Sequence, residues 1–132
     1  MASNPPIVVC STRGDCWPVM QESIAHYVPD EVQVYWSSTE NKSRANCIHF
    51  DRIITMLPNT ADNFGDAYNA AVQAAFNDGH EAVIVANDDI VLTPTSYQTM
   101  LEDMEFLKGN AGLFNCNMGW VAARSDWARG SL

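Results

Sequence analysis

The chain is poor in positive charge: its 132 residues hold seven lysines and arginines against sixteen aspartates and glutamates, a formal net charge of −9. A nucleic-acid backbone or an anionic membrane surface attracts a basic face, so neither is expected as a partner, and an anionic ligand needs a local cation. Cysteine is also sparse. Cys10, Cys16, Cys47 and Cys116 form no C-x-x-C pair, and no histidine stands at metal-ligand spacing from them, so they read as reduced thiols. Cys10, in IVVC, and Cys116, in LFNC, read as small buried hydrophobes rather than nucleophiles. No apolar run reaches the length that spans a bilayer, and the start MASNPP has neither the basic nor the apolar part of a signal peptide. A cytoplasmic protein without a membrane span is expected. Internal repeats and low-complexity segments are absent from the sequence.

What is present is ordinary globular material, with 47% hydrophobic and 17% charged residues. Such a chain is long enough to bury one core without disulfides, and a single domain over 1–132 is expected. After Pro5 and Pro6, Ile7 to Cys10 is a continuous apolar run of the kind that forms a strand buried on both faces. Trp17, Met20, Ile24 and Tyr27 then recur at helical spacing, with Asp15 as N-cap, Pro18 in the tolerant first turn and Pro29 as a stop. Val32, Val34 and Trp36 alternate with Gln33 and Tyr35, which predicts a second strand with one less buried face. A short strand is expected within the apolar but poorly periodic stretch Ile48 to Leu57.

The clearest helix covers Phe64 to Asn77, because Phe64, Ala67, Tyr68, Ala71, Val72, Ala75 and Phe76 recur at steps of three and four. Asn63 is a suitable N-cap and Gly79 a stop. The strand AVIVAN follows, and Thr95 with Gln98 predicts a capping box for a helix carrying Tyr97, Met100, Leu101, Met104 and Leu107. Two further short strands are expected at 112–115 and 119–123. This order predicts an α/β fold, a mostly parallel sheet with helices on both faces. Ligands of such sheets bind at the carboxyl ends of the strands. The loops Ser11 to Asp15 and Asn87 to Asp89 both fall there.

The run AVIVANDDIVLTP places two adjacent carboxylates at the end of an apolar strand. Like charges side by side require water or a cation. A buried strand ending in Asn87-Asp88-Asp89 and followed by IVLTP and a helix resembles the DXD-like aspartate motif of GT-A glycosyltransferases, particularly family 2. Asn63, Gly65 and Asn69 resemble that family's N-x-G-x-x-x-x-N pattern, and Val8-Val9-Cys10-Ser11-Thr12-Arg13 resembles its first strand and nucleotide-contacting turn. The resemblance spans about nine tenths of the chain, and the three motifs occur in the family's order. It implies a GT-A, Rossmann-like fold and a nucleotide-diphosphate sugar as donor. Mn2+ or Mg2+ would be held by Asp89, with Asp88 on the metal or the ribose. It further implies Thr12 on the nucleoside and Arg13 on the phosphates, with Ser11, Asn63, Gly65, Asn69 and Asn87 bordering the pocket. Physical chemistry agrees to this extent: a hard cation held by carboxylate oxygens neutralises both the acidic protein and an incoming pyrophosphate.

Each residue also has a plainer reading. Adjacent aspartates often mark a solvated turn, Asn63 a helix cap, Gly65 close helix packing and Arg13 a surface salt bridge. His26, His49 and His80 are isolated, and Trp17, Trp36 and Tyr68 fall on core-facing positions. Trp120 and Trp127 suit either core packing or stacking on a sugar. An inverting transferase needs a base for the acceptor hydroxyl. The family draws it from an acceptor half beyond the aspartate motif, of which Met118 to Arg124 resembles only the leading strand. Asp126 is the late carboxylate available as that base. The expectation is therefore a short form lacking most of the acceptor half: a transferase for an unknown acceptor, whether minimal, completed by a second chain or a piece of a longer enzyme. The alternative is an inactive GT-A-like binding module.

Overall fold

The structure, a computed structural model, describes residues 4–11, 17–38, 53–58 and 64–109. Its elements are β1 (Ile7–Ser11), α1 (Trp17–Tyr27), β2 (Val34–Ser38), β3 (Ile53–Pro58), α2 (Phe64–Asn77), β4 (Ile84–Asn87) and α3 (Ser96–Gly109). Contacts divide the chain into two units, Met1–Val91 and Leu92–Leu132. All the described strands and the first two helices belong to the first. The expected strands at 112–115 and 119–123 lie outside the described residues.

β2, β1 and β4 form a parallel three-stranded core, and β3 adds beyond β2, giving the order β3-β2-β1-β4. Ile7, Val8 and Val9 face Val34, Tyr35 and Trp36 on one side and Ile84, Val85 and Ala86 on the other. Because side chains alternate across a pleated strand, Val8 and Tyr35 share one face. Ala71 and Ala75 of α2 pack there, joined by Tyr68, Val72 and Val83. Small residues at those two helical positions let α2 lie close to the sheet. The opposite face carries Ile7, Val9, Val34 and Trp36, all buried. The usual right-handed crossover between parallel strands puts a helix on that side, and α1 has Met20 and Ile24 buried. The result is an α/β, Rossmann-like arrangement of parallel strands and alternating helices.

The ends of α1 and α2 have legible causes. α1 stops before Pro29, and His26 near its end pairs with Glu22 at 3.5 Å on the exposed side. α2 ends in a Schellman motif: the His80 amide donates to the Ala75 carbonyl, the Gly79 amide donates to the Phe76 carbonyl, and Gly79 has φ +98°. Glycine adopts that left-handed backbone without a Cβ penalty. At the start of α3 the predicted capping box is not what forms. Gln98 donates to Glu102, and Ser96 Oγ accepts the Thr93 amide.

Two further expectations are corrected. β2 starts at Val34 rather than Val32, and it has no less-buried face: Val34, Tyr35, Trp36 and Ser37 are all buried. The strand lies inside the sheet, and Tyr35, which alternation marks as the polar side, buries its ring and uses only its hydroxyl as a polar tip. That hydroxyl donates to Asp78 Oδ2 at 2.5 Å, and His80 Nε2 lies 2.8 Å from Gln33 Oε1, with the two rings edge to face. In β4, by contrast, Val85 is 58% exposed, β4 being one of the two edge strands among the described residues. No helix of the described residues is long and apolar enough to cross a membrane.

Burial, reinforced by the Asp78 hydrogen bond and charge, pushes the Tyr35 phenol up to about 12 from 10.0. A raised folded-state value means that its contribution is fully present below pH 10 and is lost as pH rises through about 12. Tyr35→Phe is therefore expected to cost about 1–2 kcal/mol at pH 7. It should also flatten the alkaline fall in stability across that window, as urea unfolding at stepped pH would read.

Candidate functional site

The chain leaves β1 towards β2 and β3 on one side and returns from β3 to β4 on the other. That reversal of direction makes the carboxyl ends of β1 and β4 a topological switch point, the place where open α/β sheets take their ligands. The register decides what stands there. Cys10 is opposite Asn87, so the polypeptide leaving β1 at Ser11 and the turn Asp88-Asp89 leaving β4 emerge side by side. Asp88 is half-buried and Asp89 exposed. α2 runs back from this same end, and its first turns carry Gly65, Tyr68 and Asn69. The positive end of the helix dipole lies on the same side of the sheet as the two carboxylates.

Tyr68 joins these parts. Its hydroxyl donates to the Ala86 carbonyl at 2.8 Å and lies 3.4 Å from Asn87 Oδ1. Burial raises its phenol, a backbone hydrogen bond from Cys10 pulls the other way, and the charges of Cys10, Asp88 and Asp89 add to the rise. The Cys10 thiol is free, buried and pushed up to about 11, first by burial and then by Asp88. At neutral pH it is a protonated thiol and a poor nucleophile, in keeping with its reading as a small hydrophobe.

The structure thus brings together Ser11, Asn87, Asp88 and Asp89, with Gly65 and Asn69 exposed on the adjoining helix. Thr12, Arg13, Asn63 and Asp126 lie outside the described residues, as do His49, Trp120 and Trp127. Sequence reasoning assigned Tyr68 to the core alone. Its ring does pack on the α2 face of the sheet, but its hydroxyl reaches the end of β4. The available signal was chemical: a tyrosine on a core-facing stripe still needs a partner for its hydroxyl.

Among the described residues no group of three His, Cys, Asp or Glu side chains converges as a metal site. Two adjacent carboxylates fit a different kind of cation, one that keeps waters and takes its remaining ligands from a substrate's phosphates, as Mg2+ commonly does. Asp88 and Asp89 are the donors suited to it. No model of a known protein family matches the chain, and no curated protein matches it.

Proposed function

We propose that the chain binds a nucleotide-diphosphate sugar at the carboxyl ends of β1 and β4, where Asp88 and Asp89 would hold a divalent cation, and transfers the sugar to an acceptor in the manner of the GT-A glycosyltransferases it resembles. The observation that supports the reading is the pairing of Cys10 with Asn87, which sets Ser11 and the turn Asp88-Asp89 beside one another at the switch of strand order. Asp89 and Asp88 hold the cation. The loop from Ser11 to Arg13 meets the nucleoside and phosphates, Gly65 and Asn69 border the pocket on the helix side, and Asp126 is the base for the acceptor. Bound there, Mn2+ or Mg2+ would supply positive charge to the departing diphosphate.

With two protein carboxylates, the cation's affinity depends on the phosphates that complete its shell. Mn2+ alone should bind weakly, and Mn2+ with a nucleotide diphosphate tightly. Calorimetric titration of UDP, GDP and their sugars, with and without Mn2+, tests this on the wild type and on Asp89→Ala. Metal-dependent binding that disappears in the variant supports the reading, and absence of binding by the wild type overturns it. A donor-hydrolysis assay on the same samples separates transfer chemistry from binding without turnover.

A further inference from the structure

We propose that Tyr68 is the positioning residue of this site: its hydroxyl, bonded to the Ala86 carbonyl and beside Asn87 Oδ1, holds the end of β4 so that Asp88 and Asp89 are presented together beside β1. The inference rests on the donor-site reading for its consequence in binding, but not for its geometry. β4 is only four residues long and borders the sheet among the described residues. A short edge strand is held on one side only, so its last carbonyl and the turn after it are its least restrained part. Tyr68 supplies the missing restraint from above. Its ring is anchored with Val8, Tyr35, Ala71 and Ala75, and its backbone sits in the second turn of α2.

One side chain therefore couples three elements at the point where the acidic turn begins. Its ring packs with Val8 on β1, Ala86 on β4 accepts from its hydroxyl, and α2 carries it. Ala86 is itself a buried residue, so its carbonyl has little water to turn to once the hydroxyl is removed. Displacing the turn by a fraction of an ångström would alter the spacing of the two carboxylates, and a cation with fixed metal–oxygen distances is sensitive to that spacing.

Tyr68→Phe separates positioning from packing, because phenylalanine keeps the ring in the cluster and deletes only the hydroxyl. Hydrogen exchange followed by NMR on the ligand-free chain is expected to show the amides of Ala86, Asn87 and Asp88 exchanging about five- to tenfold faster than in the wild type. Met20 and Ile24 in α1 should be unchanged. Titration of the same variant with Mn2+ and UDP should show a comparable fold loss of affinity, with Asp89→Ala as the reference for complete loss. Exchange that is unchanged at the end of β4, or raised equally in α1, would overturn the positioning role. Should the wild type fail to bind Mn2+ and UDP, the donor-site reading falls, and the exchange result still decides the role of Tyr68.

Discussion

Replacing Trp36 with alanine is expected to destabilise the fold by about 3–5 kcal/mol, the range for truncating a large buried aromatic side chain. Trp36 is fully buried and stands opposite Val9 in β1 and Met56 in β3, at the middle of the sheet. Its removal takes away both the transfer free energy of the ring and the contacts of the atoms that surrounded it. The backbone pairing on both sides leaves the strand little freedom to collapse into the cavity. Because small domains are stable by about 5–15 kcal/mol in total, this one substitution would leave a large unfolded fraction. The natural control is Val19→Ala in α1: Val19 is 56% exposed, and its loss should stay within about 0.5 kcal/mol. Urea unfolding of both variants, followed by circular dichroism, reads the contrast. A small effect at Trp36 would mean that the sheet is not packed on the face opposite α2.

Asp89→Ala should leave the ligand-free fold no less stable than the wild type, because it removes one of two adjacent like charges from a chain of net charge −9. The large effect is expected only with ligand. A ligand that binds the folded chain alone stabilises it by about 2.7 kcal/mol at one hundred times its dissociation constant. Mn2+ with a nucleotide diphosphate at that concentration should raise the wild type's unfolding free energy by about that amount and leave the variant's where it was. Mn2+ alone and nucleotide alone should each do little. An equal response in wild type and variant would place the cation elsewhere on the acidic surface.

The parts of the fold that could be read from the sequence are those set by local pattern. β1 and α2 have such signals: an unbroken apolar run for the first, and apolar residues at three- and four-residue steps closed by Gly79 for the second. β2 was harder, since alternation marks Tyr35 as the polar side. Its hydroxyl finds Asp78, 43 positions further along the chain, a pairing that no local window contains. Val85 shows the converse. Its apolar character says nothing about what covers it, and only the strand order β3-β2-β1-β4 makes β4 an edge.

The candidate site divides in the same way. Asp88 and Asp89 were visible as an interruption of hydrophobicity, because a local charge is a local signal. That they stand beside the end of β1 depends on the register of Cys10 with Asn87, and that Tyr68 belongs with them depends on a helix that packs over β1 and reaches β4 through one hydroxyl. Periodicity identified the side of the helix on which Tyr68 lies, but its hydroxyl partner is a backbone atom on a strand 18 residues further on.

If a divalent cation and a diphosphate meet at the carboxyl ends of β1 and β4, Mn2+ in the presence of UDP should broaden amide resonances there by its paramagnetism. Broadening should centre on Ser11 and on Asn87, Asp88 and Asp89, spread from there to Tyr68 and Asn69, and vanish in Asp89→Ala. Broadening centred instead on the other acidic residues, such as Glu102, Asp103 and Glu105 of α3, or broadening unchanged in the variant, would contradict that placement of the cation.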